Sequence, residues 1–591
     1  MLNYKLKDNC IDPNSVQPIQ DYLKSLGIEK VESFINKPDK EDELSGALLC
    51  NATKCVQSLY SGFTSNKRFL LIVDSDVDGF TSSAIFYRYF KTRYPEVTIN
   101  YLLHEGKEHG IELNKLPSLD TFDYLIVPDA GSMNLVEQET LAKEDKIIII
   151  MDHHNVSEQL NNDKVILVNN QCSPFFTNKN LSGAGVVYKI IQLYEECFPE
   201  IDAWNNRAAK YSDLAALGIL ADCMDTRNLD NNYIIYQGLH SINNAMIEAL
   251  IKQQEFSIQH NPPTKIDLVY YIAPLINGTI REGTQEEKEL LFRGFIEEPT
   301  QEYFDSEWRG TTRHEDYYKY VARTSYNVKN RQNTKKEKSF LYLCKTIEDK
   351  GLDKNKVIAV ITSKDDAVPT PPNITGLIAM ELSKKYNKPT LVLRPKMENG
   401  VLTYAGSGRA KQVENFPSFL QFVRDTDASL YGEGHNFAFG ASILASEYDS
   451  FIQQCNERLE DVNFTSDCIE VDAIFNAKHI NTRMLLEFAK NEHVYGNSIP
   501  QPKIAIEGEC TYNNILVMGT DRTSVRITIG KVSCVKFKDK ELATTALSNK
   551  NFKFRLVGRP QINNYNGYEN IQIMIENIEL TPVEKIGGLL F

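Results

Sequence analysis

FLLIVDSDVDGFTSSAIFYRYF, residues 69–90, is the stretch whose reading decides the fold. Residues 69–73 are an apolar, branched run of the length of a buried strand. The run stops at three aspartates two apart, Asp74, Asp76 and Asp78, and then at Gly79. Phe80, Ala84 and Tyr87 follow at helical spacing, with Thr81 or Ser82 placed to cap the helix. Strand, acidic loop and helix in this order form a ligand site at the carboxyl end of a parallel sheet. Carboxylates this crowded repel one another and are tolerated where water solvates them or cations neutralise them. Taken alone, the stretch is compatible with either.

The pattern recurs downstream. Residues 124–127 are a short apolar run ending at Pro128, Asp129, Ala130, Gly131 and Ser132; residues 147–151 end at Asp152, His153 and His154; residues 165–168 end at Asn169. Strands alternating with helices predict a doubly wound parallel sheet. Polar groups delivered at the carboxyl ends of successive strands are hard to assign to solvated turns. Imidazole is the usual neutral nitrogen ligand, and a neighbouring carboxylate fixes its tautomer. Several carboxylates with one or two histidines make an oxygen and nitrogen set suited to Mn²⁺ or Mg²⁺, without the thiolates of structural zinc. That is more acid than one ion needs, and it fits two ions sharing a carboxylate. Residues 214–223, LAALGILADC, read as a small-residue helix carrying Asp222 near its end, either as a cap for the next segment or as a ligand. Asp225 competes with Asp222 for both roles.

Composition bounds the reading. The 591 residues, 42% hydrophobic and 24% charged, are ordinary for a globular protein, and suffice for about three or four domains. No run of apolar residues reaches a membrane span, and the start MLNYKLKDNC lacks the apolar core of a signal peptide. Eleven cysteines without a CxxC pair predict a reducing, cytoplasmic compartment. A net charge of −14 opposes coating of nucleic acid over the whole surface but leaves room for a local basic groove.

With Asp129, the Asp152-His153-His154 run and Ala221-Asp222 added, the Asp74–Gly79 pattern resembles the DHH phosphoesterase superfamily. Residues 172–186, CSPFFTNKNLSGAGV, resemble its RecJ branch, the 5′→3′ single-strand DNA exonucleases. Residues 271–278 with Arg281 are similar to a RecJ helix segment, and Asn330-Arg331-Gln332 lies where that family has a long connecting helix. A second α/β unit comes next, with strands at 357–361 and 390–393 and a helix at 375–386. Its glycine-rich segments Ala405 to Arg409 and Gly432 to Gly440 read as backbone cradles for an anion. The latter resembles the DHHA1 domain. From about residue 468 the chain turns β-rich, and residues 494–502 resemble the entry to the RecJ OB domain. Five strands are predicted there, with Tyr565, Tyr568, Lys553, Arg555 and Arg559 as candidates for stacking on and tracking a single strand.

Helix-like spacing marks residues 1–67 as a helical extension, and the resemblance implies four further parts: a DHH domain over 68–285, a connecting helical region over 286–350, a DHHA1 domain over 351–465 and an OB barrel over 466–591. It implies a two-metal phosphodiesterase acting on single-stranded DNA. Two Mn²⁺ or Mg²⁺ ions would be held by Asp74, Asp76, Asp78, Asp129, His153 and Asp222, with Asp129, His153 and His154 catalytic. Asn277, Arg281, Ser407, Arg409, Gly434 and His435 would bind substrate phosphate. The polarity comes from the resemblance alone. The family's arginine before the glycine at position 110 is missing here, with Lys107 the nearest cation, and a lysine does not copy a bidentate fork. A monomer is expected, with a single-strand-binding protein or a helicase as partners and no membrane association. The competing readings are an oligoribonuclease or cyclic-dinucleotide phosphodiesterase of the same superfamily, and an inactive replication scaffold.

Overall fold

The computed structural model describes the chain except Met1, residues 106–107, 200–206, 259, 309, 399, 414, 465–467, 566–567 and 585–591, and the side chains of residues 308, 564, 565 and 568. The expected roles of Lys107, Tyr565 and Tyr568 therefore lie outside the described residues.

The first sheet is built from β1 (Phe69–Val73), β2 (Ile99–Leu103), β3 (Tyr124–Pro128), β4 (Ile147–Asp152) and β5 (Val165–Asn169), in the order β2-β1-β3-β4-β5. All of its pairings are parallel. Its strands are apolar on both faces because both faces are covered. Phe69, Leu71 and Val73 face one core, whereas Leu70 and Ile72 face another. β2 is an addition to the expected strands: INYLL has the half-exposed pattern of an edge strand and a polar residue at its second position. The strand order reverses between β1 and β3. That switch point is where open sheets of this kind bind ligands, and here Asp74, Asp76 and Asp78 follow one strand and Asp129 follows the other.

The second sheet contains β6 (Ile358–Ile361), β7 (Thr390–Glu398), β8 (Val401–Arg409), β9 (Ser429–His435) and β10 (Ala438–Leu444), in the order β9-β10-β8-β7-β6. This corrects the anion-cradle expectation. Ala405 to Arg409 is not a loop but the end of an inner strand, paired with β7 on one side and β10 on the other. A strand flanked on both sides spends its amides on the ladders. The backbone of Gly406 and Gly408 is thus not free to cradle an anion; only the side chains of Ser407 and Arg409 project from it. Glycine at 406 serves packing, because a Cβ there would lie 1.9 Å from the Val392 carbonyl oxygen. A helix of 33 residues, Tyr317–Asp349, leads to this sheet, as the connecting helix required, and is preceded by a hairpin, Tyr303–Trp308 with Thr311–Asp316.

The last sheet has 7 strands: β11 (Ala473–Asn476), β12 (Ile504–Thr511), β13 (Ile515–Met518), β14 (Ser524–Ile529), β15 (Val532–Lys536), β16 (Asn551–Tyr565) and β17 (Tyr568–Pro582), ordered β11-β12-β16-β17-β15-β14-β13. The five anticipated strands are present, and β11 and β15 add to them. The N-terminal residues do not form a separate unit. Residues Asn3 to Leu6 pair in parallel with Cys468 to Val471, and Tyr22, Leu23 and Phe34 share a core with Met484, Phe488 and Tyr495. The helix Ala52–Thr64 instead buries Cys55, Leu59 and Phe63 in the core of the first sheet.

Candidate metal centre and phosphate pocket

Asp76 caps the helix Val77–Arg93 (α1), accepting from the Gly79 amide at 3.0 Å. It takes the role expected of Thr81 or Ser82, whose hydroxyls donate back to the carbonyls of Val77 and Gly79. Asp78, in the first turn of α1, is 2% exposed, and both of its oxygens are engaged. Oδ2 accepts from the Gly183 amide at 2.6 Å and Oδ1 from the Ala184 amide at 3.0 Å. These amides open the helix Gly183–Cys197 (α2), so its positive end faces a carboxylate. The glycines at 183 and 218 make room for this arrangement. A Cβ on Gly183 would lie 2.5 Å from Asp129 Cβ, and one on Gly218 would lie 2.3 Å from Asp78 Oδ1.

Asp129 follows β3 in the left-handed region, φ 61°, which is uncommon for non-glycine residues and most accessible to Asp and Asn. His153 follows β4. Its Nε2 is 3.2 Å from Asp129 Oδ1, 3.4 Å from Asp222 Oδ2 and 3.9 Å from Asp78 Oδ2. Asp222 stands at the C-terminal end of the helix Ser212–Ala221 (α3), which decides between the two acids there: Asp225 is 2.7 Å from the Arg227 guanidinium and is spent on it. Asp74 and Asp76 group with Asp129 on the other side, and Asp78 and Asp222 group with His153. Asp74 Oδ1 also accepts from the Gly110 amide at 3.2 Å, so this part of the chain closes on that side of the centre.

Electrostatically the site is strained. Burial, and then the neighbouring carboxylates, push Asp129 well above the usual carboxylate range; Asp74 is raised by burial and by Asp76. Asp222 is pushed up to about 8 by burial and by Asp78 and Asp76. Burial lowers the His153 imidazole, which is therefore neutral at pH 7. Asp129 Oδ1 and His153 Nε2 are both buried without a hydrogen-bond partner.

Asp152 was not among the expected site residues, and it organises the histidines. Its Oδ1 accepts from the amides of His153 (2.7 Å) and His154 (3.2 Å) and from His154 Nδ1 (2.7 Å), and its Oδ2 accepts from the Ser132 amide at 3.2 Å. Burial alone would raise its carboxyl, but these donors, His154 above all, hold it below the usual range. In return the Asp152 hydrogen bond raises His154 to about 9. The signal was present in the sequence, an acid at the last position of a buried strand beside two histidines. Its role depends on which way the side chain turns.

Asn277 and Arg281 lie on the helix Ala273–Glu282 (α4) and, with Asp76, Asp78 and Asp222, line a cavity of ≈ 90 Å³. Asn277 Oδ1 and Arg281 Nε are buried without partners. Ser407 Oγ is 3.0 Å from Thr375 Oγ1, at the start of the helix Thr375–Tyr386 (α5). Arg409 lies close enough to Gly376 that a Cβ there would meet its guanidinium at 2.7 Å. Burial, and then the charge of Arg281, lower the Arg409 guanidinium. Asn373, just before α5, donates to the Arg281 carbonyl and joins the two units at this point. Gly434 (φ 130°) and His435 are exposed at the end of β9 on the edge of its sheet, in register with Gly408 and Arg409 across Phe439 and Ala438 of β10. The basic side chains expected to form a track on the last sheet carry acidic partners: Lys553 with Glu509, Arg555 with Glu507 and Arg559 with Glu576.

This architecture and this constellation define a DHH-type protein with an appended OB unit. The DHH family N-terminal domain matches residues 68–219, and the RecJ OB domain matches residues 471–577. The chain is 32% identical over 580 residues, 96% of its length and 97% of the relative's, to the SPbeta prophage-derived YorK of Bacillus subtilis (strain 168), which bears the name of a single-strand DNA-specific exonuclease. It is 23% identical over 530 residues to RecJ, the single-stranded-DNA-specific exonuclease of the same organism, covering 87% of this chain and 61% of that one. The crystal structure of RecJ with Mn²⁺ from Thermus thermophilus superposes with a TM-score of 0.70 at 17% identity, covering 97% of this chain and 77% of that one. The chain belongs to the RecJ-like family of DHH proteins. Among the described residues no helix is long and apolar enough to cross a membrane.

Proposed function

We propose that the chain is a metal-dependent exonuclease that degrades single-stranded DNA from its 5′ end. The observation that carries the reading is the unpartnered Asp129 Oδ1 facing an unpartnered His153 Nε2 inside a ring of carboxylates. Such a donor set is unfavourable by itself and suits divalent cations bound by oxygen and neutral imidazole. Asp74, Asp76, Asp78, Asp129, His153 and Asp222 would hold two Mn²⁺ or Mg²⁺ ions. When bound, the ions supply an activated water and neutralise the charge that develops on the phosphate.

The protein's own residues do the rest. The amides of Gly183 and Ala184 fix Asp78 so that its carboxylate needs no reorganisation. Asp152 fixes the backbone at both histidines and holds His154 protonated, a cation at the edge of the site that can donate to a phosphate oxygen. Arg281, Ser407 and Arg409 bind a terminal phosphate through side chains alone, the guanidinium of Arg409 supplying the fork that matches its oxygens. Gly434 and His435 would meet the strand from the facing edge of the second sheet. The units at 68–285, 351–465 and 466–591 act as catalytic core, clamp and nucleic-acid-binding extension, joined through 286–350, with residues 1–67 shared between the outer two cores. Action in DNA repair or recombination as a monomer, alongside a single-strand-binding protein or a helicase, belongs to the same proposal.

The test is digestion of a 3′-labelled single strand with Mn²⁺ or Mg²⁺ against an EDTA control, with a duplex and an RNA of the same sequence beside it. Metal-dependent shortening from the 5′ end that spares the duplex is expected. Preference for RNA, or cleavage of di- and trinucleotides alone, overturns the reading.

A further inference from the structure

We infer that Lys329, on the helix Tyr317–Asp349, is a further phosphate-binding residue, a third cation for the 5′-terminal phosphate beside Arg281 and Arg409. The inference rests on the nuclease reading above and adds to it a residue from the connection between the units. Between positions 323 and 336 this helix carries Arg323, Lys329, Arg331, Lys335 and Lys336. All but Lys329 are spent on acids: Arg323 on Glu315, Arg331 on Glu287, Lys335 on Glu282 and Lys336 on Glu381. Among the described residues Lys329 has no carboxylate partner, and its Nζ donates to an uncharged acceptor, Gln332 Oε1, at 2.7 Å.

The side chain is laid against α4. A Cβ on Gly278 would lie 3.1 Å from Lys329 Cδ and 3.5 Å from its Cα and Cβ, so the glycine lets the stem lie on the helix. Gly278 follows Asn277, which lines the cavity with Asp76, Asp78 and Asp222, and it precedes Arg281 by one turn on the same face. Burial, and then the charges of Lys336 and Arg281, lower the Lys329 ammonium, as burial and Arg281 lower the Arg409 guanidinium. Arg281 is thus the middle of three cations drawn from α4, the connecting helix and β8, and its Nε is buried without a partner. Lys336, one step further along, is neutralised by Glu381 of α5. Like charges gathered away from counter-charges repel unless an anion lies among them. A terminal phosphate monoester matches three cations better than an internal diester does, because at pH 7 it carries a charge of about −1.5 to −2 on three acceptor oxygens. Lysine serves such a group as a point charge, beside the fork that Arg409 supplies.

The experiment uses the full chain and two single strands of one sequence, ending in a 5′-phosphate or a 5′-hydroxyl, with binding read by fluorescence anisotropy in EDTA. Lys329→Met keeps a stem to lie on Gly278 and removes the charge. It is expected to weaken binding of the phosphorylated strand by about 10- to 100-fold, and to change the hydroxyl strand little. The slope of log affinity against log salt for the phosphorylated strand falls by about 1, and the unfolding midpoint does not drop, as it would if the lysine served packing alone. Lys329→Arg keeps most of the affinity. An equal loss on the two strands, or none on either, overturns the inference. A wild type that prefers the phosphorylated strand, loses the preference in Lys329→Met and cuts neither strand with Mn²⁺ overturns the nuclease reading instead.

Discussion

Asp129 Oδ1 and His153 Nε2 stand 3.2 Å apart at the ends of neighbouring strands, and neither has a hydrogen-bond partner. Burial holds the imidazole neutral and disfavours the ionised carboxylate, and a divalent cation bound between them would favour the ionised carboxylate and use the neutral imidazole as a ligand.

Mn²⁺ therefore raises the unfolding temperature of the wild type, by mass action on the folded state alone. Asp129→Asn replaces an acid whose ionised form burial and the neighbouring carboxylates disfavour. Its metal-free form melts above the metal-free wild type, and Mn²⁺ no longer moves its midpoint. Differential scanning calorimetry with and without EDTA checks both, and a metal-dependent rise that persists in Asp129→Asn contradicts the assignment. Activity in that variant is abolished.

Asp152→Ala leaves three amide donors and the His154 ring without their acceptor. Orphaning donors around a buried carboxylate costs about 1–3 kcal/mol each at most, less where water enters. Loss of a residue that orients ligands typically lowers metal affinity or activity by about 10- to 100-fold. Titration with Mn²⁺ under steady-state turnover distinguishes this from simple unfolding, because excess metal recovers part of the rate.

Arg409→Ala is expected to reduce the preference for a 5′-phosphate over a 5′-hydroxyl by about 10- to 100-fold, the range for losing a charge-assisted hydrogen-bond donor. Arg409→Lys keeps the charge but not the fork and falls between. Competition between two labelled strands in one tube measures the ratio directly. An unchanged ratio in Arg409→Ala places the terminal phosphate elsewhere.

His260 bridges two parts of the chain, with Nδ1 2.9 Å from Asp267 and Nε2 3.3 Å from Glu492. Hydrogen bonds to these two carboxylates raise it to about 10. A histidine raised on folding contributes stability that is complete below its unfolded value, about 6.5, and is lost as the pH climbs toward the folded one. His260→Gln is thus more destabilising at pH 6 than at pH 9.5. Urea unfolding at the two pH values checks it; equal losses contradict the ion-pair account.

Much of the first unit was legible because its signals are local. An apolar run of five residues followed by an acid and a glycine specifies a strand, a turn and a helix start within one window, and β1, β3, β4 and β5 lie within a residue of their expected bounds. The carboxylates at the strand ends were visible for the same reason. The glycine-rich segments of the second unit misled. Gly406 and Gly408 carry no mark that separates a loop from a strand against which a neighbour packs closely, and the closeness to Val392 is a contact between distant segments.

The sequence by itself determined the order of the units, the chemistry of the donor set and the family, since each is written in residue types and short spacings. Tertiary structure decided what depends on direction and on partners far along the chain. It set Asp222 rather than Asp225 toward His153, turned Asp152 into the holder of both histidines, and divided the N-terminal residues between two cores. It also paired the basic residues of the last sheet with glutamates. A sequence prescribes which groups a segment offers; only packing fixes which of them meet, because the energy of each meeting belongs to both segments at once.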